Sequence, residues 1–341
     1  MTMQVTSKQA LLVIPRLRIQ NANAISSPLT HGFPSITAFM GLMWALERRL
    51  VAAGVPLHFE GVGVVCHHYQ EQVTNHGRTS SFHLTRNPVD KDGSTLAIVE
   101  EGRIHLDITL IFKVSVRQQE QTTLELRQNA PELAIWAKQA YDLLSTMRVA
   151  GGSVLPAVWV GQMAQLEWIP EEQEPYERFF RRQRRAWMPG FALTESSALL
   201  AERGAALKER HPEATVLDAW LHASRANYSP SYQDEQGRWH WQDQSHTKGQ
   251  GWIVPIPVGY GALTEAHPAG TVRGARDTKT PVQFVEMLWS LGQWVSPHRL
   301  HRLEDLLWYS DCDVELGIMR CHNDRSAESA IDEDADDTPI Y

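Results

Sequence analysis

Residues 103–116 place Ile104, Leu106, Ile108, Leu110, Phe112, Val114 and Val116 at every even position, against mostly polar odd ones. A period of two sustained over that length predicts a β-strand with one wet face. Residues 10–19 open with ALLVIP, and Leu17 and Ile19 then alternate with Arg16 and Arg18. This predicts a first strand, buried at its start and half-buried later. A polar segment rich in Asn and Ser follows at 20–30 (QNANAISSPLT). Ile36, Phe39, Met40, Met43, Leu46 and Leu50 then recur at helical spacing, and Gly54 stops the run. Ser35 can cap that helix, because its hydroxyl can accept from first-turn N–H groups. Residues 57–69 predict a second strand whose two glycines suggest a bulge or a close backbone approach. A second helix is predicted over 131–148. Pro131 suits its first turn, and Leu133, Trp136, Ala140, Leu143, Leu144 and Met147 form its inner stripe. Gly151 and Gly152 end it.

The first 150 residues therefore read strand–helix–strand–hairpin–strand–helix. That is the order of an α+β, ferredoxin-like, RNA-recognition-type unit, expected to occupy 1–155. Residues 156–250 are less regular and are expected to be an insertion. They hold proline-bounded loops, an arginine-rich segment, a helix at 193–210 and a polar loop at 229–250. Residues 251–310 are expected to be a C-terminal α/β elaboration packing on the first domain, with a strand at 252–263 and a helix near 282–291. Residues 311–341 read as an acidic, disordered tail. No internal repeat is visible.

Composition narrows the function classes. The chain has 341 residues, of which 43% are hydrophobic and 21% charged, so it is neither a disordered chain nor a fibre. Its longest apolar run, near 36–46, is far short of a membrane span, and no signal-peptide pattern opens the sequence. A cytoplasmic protein without membrane contact is expected. Cys66, Cys312 and Cys321 are too few for a disulfide framework. The net charge of −8 argues against nucleic acid only until it is localised: residues 324–341 carry −6, leaving −2 for the rest. A local basic patch then matters more than the total. Twelve tryptophans favour interfaces and flat partners such as bases.

Four groups of residues could carry chemistry. Residues 178–187 read RFFRRQRRAW, with Arg178, Arg181, Arg182 and Arg185 on one broad helical face and Arg184 beside them. Guanidiniums bind phosphate bidentately and stack on bases. The same pattern also fits a solvated helix neutralised by Glu171, Glu172, Glu174 and Glu177. Arg148, Gly151, Gly152 and Ser153 lie in RVAGGS, which suits either a phosphate-binding turn or a plain glycine cap. Asn21, Asn23, Ser26 and Ser27 can read base edges and 2′-hydroxyls, or make turn hydrogen bonds. Arg273, Arg276, His298 and Arg299 form a sparser basic set. Metal and nucleotide signals are poor. Cys66-His67-His68 would split across two strand faces, and no CxxC, HExxH or Walker loop is present. Among fifteen histidines, His31 beside the polar segment is the candidate for acid–base RNA cleavage.

Longer strings carry a family resemblance. They are PRL at 15–17, IQNANAISSPLT at 19–30, GFPS at 32–35, TRNP at 85–88, IVEEGR at 98–103 and RVAGGSVLP at 148–156. Further on come PGFAL at 189–193, GWIVPIPVGYGAL at 251–263, VRGARD at 272–277, FVE at 284–286, SPHR at 296–299 and DLLWY at 305–309. Over most of 10–309 the chain resembles the second Csy subunit of the type I-F CRISPR surveillance complex, the Cas-five-like member of the RAMP superfamily. The resemblance implies a non-catalytic RNA-recognition fold capping the five-prime handle of the CRISPR RNA. The large subunit and the first backbone subunit would be its protein partners, and target DNA would be engaged through the complex. No cofactor is implied. The other class kept open is a CRISPR repeat endoribonuclease, as some Cas-five-like proteins of other subtypes are thought to be.

Overall fold

A computed structural model describes residues 8–77, 79–83, 92–94, 101–116, 131–158, 163–225, 227–243, 252–275 and 277–325. Arg276, the strings at 85–88 and 98–100, and residues 326–341 lie outside the described residues. The fold is mixed α/β, with one large antiparallel sheet and, among the described residues, five α-helices.

Eleven strands build the large sheet: β1 (Lys8–Asn23), β2 (Leu57–Glu71), β3 (Arg103–Val116), β4 (Arg148–Val149), β5 (Gly152–Val154), β6 (Gln165–Trp168), β7 (Phe191–Glu195), β8 (Trp252–Ala262), β9 (Val285–Val295), β10 (Trp308–Asp313) and β11 (Ile318–Asn323). Their order is β7-β9-β8-β11-β10-β2-β3-β1-β5-β4, with β6 also paired to β1. β7 pairs with β2 as well, through Phe191 opposite Cys66 and Ala192 opposite Val65. The pairings β2-β7-β9-β8-β11-β10 therefore close into a ring. The indole of Trp308, fully buried, fastens it by donating from Nε1 to the Leu193 carbonyl at 2.8 Å.

Alternation along β1 sends its side chains to two cores. Leu12 and Ile14 face α1 (Ile36–Ala52) and α2 (Pro131–Ser145), while Leu11 and Val13 face α3 (Gln173–Ala186). Each such Leu or Phe contributes about 1.5–3 kcal/mol by leaving water. A third cluster joins α4 (Ser197–Arg210) and α5 (Val216–Ala223) to the sheet, with Trp220 packed near Leu291. The expected cap is present: Ser35 Oγ accepts from the Thr37 N–H at 3.3 Å. Among the described residues no helix is long and apolar enough to cross a membrane.

Several expectations need correction. The seven even positions of β3 are buried as the alternation requires, but Thr109, Ile111 and Ser115 on the expected wet face are buried too. Ile111 lies under α3, in the second core. β1 continues through the polar segment to Asn23, because the ladder with β3 persists to Asn23 opposite Arg103. The helix expected at 193–210 is strand β7 followed by α4. The polar loop expected at 229–250 contains a hairpin, Tyr228–Gln233 with Trp239–Asp243. The helix expected near 282–291 is strand β9, paired with β8 on one edge and β7 on the other. Residues 311–323, expected in the tail, complete β10 and form β11 inside the sheet.

Candidate nucleic-acid interface

Two non-glycine residues of β1 have left-handed backbone, Arg16 (φ 52°) midway along it and Asn21 (φ 57°) near its end, each at a break in register with β3. At the second bulge the Asn21 N–H donates to His105 Nδ1 at 3.2 Å, and Asn21 Oδ1 accepts from Gln72 Nε2 at 2.6 Å. Asn23 closes an Asx turn, since its Nδ2 donates to the Ile25 carbonyl at 2.7 Å and its Oδ1 accepts from the Ile25 N–H at 3.1 Å. Ser26 and Ser27 are buried. Their hydroxyls share Thr30 Oγ1 at 3.0 and 2.7 Å, and Ser27 Oγ accepts from the Trp289 indole at 3.0 Å. Much of this group's polarity is thus spent on local shape.

The glycine turn is a two-residue hairpin joining β4 to β5. Both central residues have positive φ, Ala150 at 47° and Gly151 at 80°, which is the type I′ geometry matched to strand twist. Gly152 is fixed by packing. A Cβ there would lie 2.5 Å from Ile19 Cγ2 and 2.8 Å from the Ala22 backbone nitrogen. The Asn23 N–H donates to the Ala150 carbonyl at 2.8 Å, which ties the bulged end of β1 to the turn. Arg148 is exposed and donates from Nη1 to Ser153 Oγ at 2.8 Å.

Together these elements make a cleft of about 480 Å³. Asn23, Ser26, Arg148 and Gly151 line it, facing Ser35 and Thr37 at the start of α1. Thr37 Oγ1 lies 3.3 Å from the Tyr260 hydroxyl across the cleft. No carboxylate is among its described lining residues, and the first turn of α1 carries no acid. A helix N-terminus, an exposed guanidinium and a left-handed turn then converge where a phosphate would be stabilised. Ser35 marks that helix start in the sequence. Nothing in the string around Tyr260 marks its part in the cleft.

The arginine segment lies elsewhere. α3 packs through Phe179 and Phe180 on the face of the sheet opposite α1, so its charges and the glycine turn do not form one patch. Arg182 pairs with Glu167 and lies over the Phe179 ring at 5.6 Å. Arg178 is 3.7 Å from Glu174. Arg184 turns inward, donating to the His298 carbonyl at 2.9 Å over the Phe180 ring. Burial, then repulsion from Arg181 and Arg185, lowers its affinity for a proton. Arg181 and Arg185 are exposed and have no carboxylate partner among the described residues. Arg273 is exposed in the connection between β8 and β9.

The remaining candidates are occupied locally. His67 bonds the Pro189 carbonyl through Nδ1 at 2.6 Å and Thr109 Oγ1 through Nε2 at 2.7 Å. Burial pushes the Cys66 thiol up to about 12. Among the described residues no group of three or more His, Cys, Asp or Glu could hold a metal ion. His31 Nδ1 is 3.0 Å from Glu71 Oε1.

Comparison with known proteins identifies the family. Residues 12–321 match the family model described as CRISPR-associated protein (Cas_Csy2). The chain is 43% identical over 343 aligned residues to the CRISPR-associated protein Csy2 of Pseudomonas aeruginosa (strain UCBPP-PA14), covering 96% of this chain and 100% of that one. With nearly the whole sequence matched on both sides, the chain belongs to the Csy2 family of the type I-F CRISPR Csy complex.

Proposed function

We propose that the chain is a non-catalytic, RNA-binding scaffold subunit that caps the five-prime handle of the CRISPR RNA. It does so together with the large subunit and starts the backbone filament, for guided recognition of foreign DNA in the cytoplasm. The main support is the carboxylate-free cleft that gathers Asn23, Ser26, Arg148 and Gly151 at the N-terminus of α1. Such a site favours an RNA backbone through turn amides, helix dipole and one guanidinium. Arg181 and Arg185, with Arg178, Arg182, Arg273 and Arg276, supply a second set of phosphate contacts.

The ferredoxin-like, RAMP-type reading of the first domain is supported by topology. β1, α1, β2, β3, α2 and, after the short β4, β5 come in that chain order, the strands stand in the order β2-β3-β1-β5, and both helices share one core. Protein partners are supported by the hairpin at 228–243, where Tyr228, Trp239 and Trp241 are all more than half exposed.

A tagged pull-down from the reconstituted operon tests the proposal, with bound RNA sequenced and proteins identified by mass spectrometry. A uniform RNA with a constant five-prime repeat fragment, together with a large subunit, is the expected result. Heterogeneous RNA without that partner overturns it. A defined cleavage product from repeat RNA in the absence of metal replaces it with the endoribonuclease.

A further inference from the structure

A second cavity, of about 450 Å³, opens beside the first. Its walls are aromatic. Trp294 meets Phe33 edge-on at 4.9 Å between ring centroids and lies 6.2 Å from Trp252, which in turn meets Phe191 at 6.4 Å. Trp252 and Phe191 stand at 48% exposure each, and Tyr69 at 49%. Large aromatic rings left this open can stack on a flat partner. The cavity also contains one carboxylate, Glu71. Its Oε1 is held by His31 at 3.0 Å, and its Oε2 has no donor among the described residues. Ser26 and Pro34 line both this cavity and the phosphate-favouring cleft, so the two lie side by side.

We infer that the aromatic cavity receives one unpaired nucleobase of the same RNA strand whose backbone follows the Arg148–Gly151 turn, and that Glu71 selects a base bearing an exocyclic amine. The inference rests on the RNA-binding role proposed above. An apolar side chain from a protein would stack equally well, but it would bury the Glu71 carboxylate without a donor, which is costly. Adenine and cytosine each supply an exocyclic amine, whereas uracil offers only its N3–H, flanked by two carbonyl oxygens that repel a carboxylate. No bond is made or broken.

The test is equilibrium binding of the full chain to single-stranded oligo(A), oligo(C) and oligo(U) over a range of salt. Trp252→Ala is expected to weaken oligo(A) and oligo(C) binding about tenfold, the scale of one base–aromatic stack, without changing the salt slope. Trp252→Phe is expected to retain most of the affinity, which separates stacking from misfolding. Glu71→Gln is expected to reduce the preference for oligo(A) and oligo(C) over oligo(U) about tenfold, since an amide also offers a donor to the uracil carbonyl. Normal RNA binding with Trp252→Ala unaffected overturns the pocket and leaves the RNA-binding role standing. Loss of a co-purifying protein with unchanged RNA affinity assigns the cavity to a protein side chain and also overturns it. No RNA binding by the unaltered chain overturns the proposed function itself.

Discussion

Asn323 and Glu195 hold each other reciprocally. The Asn323 N–H donates to Glu195 Oε2 at 3.2 Å, and the Glu195 N–H donates to Asn323 Oδ1 at 3.3 Å. The Asn323 amide also donates to the carbonyls of Asp305 at 3.0 Å and Leu307 at 2.9 Å. One buried side chain thus satisfies backbone groups from the end of β7 and from the segment entering β10, and so helps close the ring of strands. Asn323→Ala is expected to lower unfolding stability by about 3 kcal/mol, because it strands several buried polar groups at once. Urea denaturation measures this. A loss below about 1 kcal/mol would show that water replaces the amide.

The two unpartnered arginines of α3 predict a different signature. Replacing Arg181 and Arg185 together by Ala is expected to weaken RNA retention uniformly across sequences. It should also reduce the magnitude of the log–log salt slope by about 1.4, at roughly 0.7 per single-strand phosphate contact. Arg182→Ala is expected to do less, since its guanidinium is already paired with Glu167. An unchanged slope in the double variant would remove α3 from the RNA-binding surface.

How much of this was legible in the sequence depended on whether the deciding interaction was local. β1, β2, β3, α1 and α2 follow from their own periodicity, and Ser35 caps α1 by a contact two residues away. The helix expected near 282–291 reflects the helical spacing of Val282, Val285, Leu288 and Leu291. Val285, Met287, Trp289 and Leu291 also alternate, and only the pairing to β7 and β8 decides between the two. The hairpin of β10 and β11 was hidden by acidic residues that belong to exposed positions, while Cys321 and Asn323 are buried. For the cleft, sequence named Asn23, Ser26, Arg148 and Gly151 but could not bring Tyr260 to them. Nor could it separate the guanidiniums on α3 that are already paired from those that are not.

Ala150 sits in left-handed backbone that costs an L-residue about 1–2 kcal/mol. Glycine adopts it freely but adds unfolded-state entropy of roughly 0.4–1 kcal/mol. Ala150→Gly is therefore expected to stabilise the chain by about 0.5 kcal/mol, and Ala150→Val to destabilise it by more than about 1 kcal/mol. Thermal midpoints compare the three. If glycine lowered the midpoint, the type I′ turn would not be the conformation held in solution.

His67 gives the fold an acid sensitivity whose sign follows from its partners. The Pro189 carbonyl can only accept, so Nδ1 carries the proton and donates to it at 2.6 Å. Nε2 then accepts from the Thr109 hydroxyl at 2.7 Å, and Thr109 Oγ1 in turn accepts from the Arg16 N–H at 3.2 Å. The chain of bonds ties β2 and β3 to the bulge in β1 and to the entry of β7, and a neutral imidazole completes it. Burial lowers the His67 pKa below its ordinary 6.5, outweighing the opposing pull of the Pro189 carbonyl. In the unfolded chain the ring is protonated as pH falls through about 6.5, whereas the folded ring resists until lower pH. The unfolded state binds the extra proton in that window, so this group's contribution to stability is complete above pH 6.5 and declines below it. His67→Gln is expected to be less stable at pH 7.5, where the neutral ring makes both bonds, and to lose less on going to pH 5.5. Urea unfolding of both proteins at the two pH values measures the difference. Parallel losses would place the acid sensitivity on other groups.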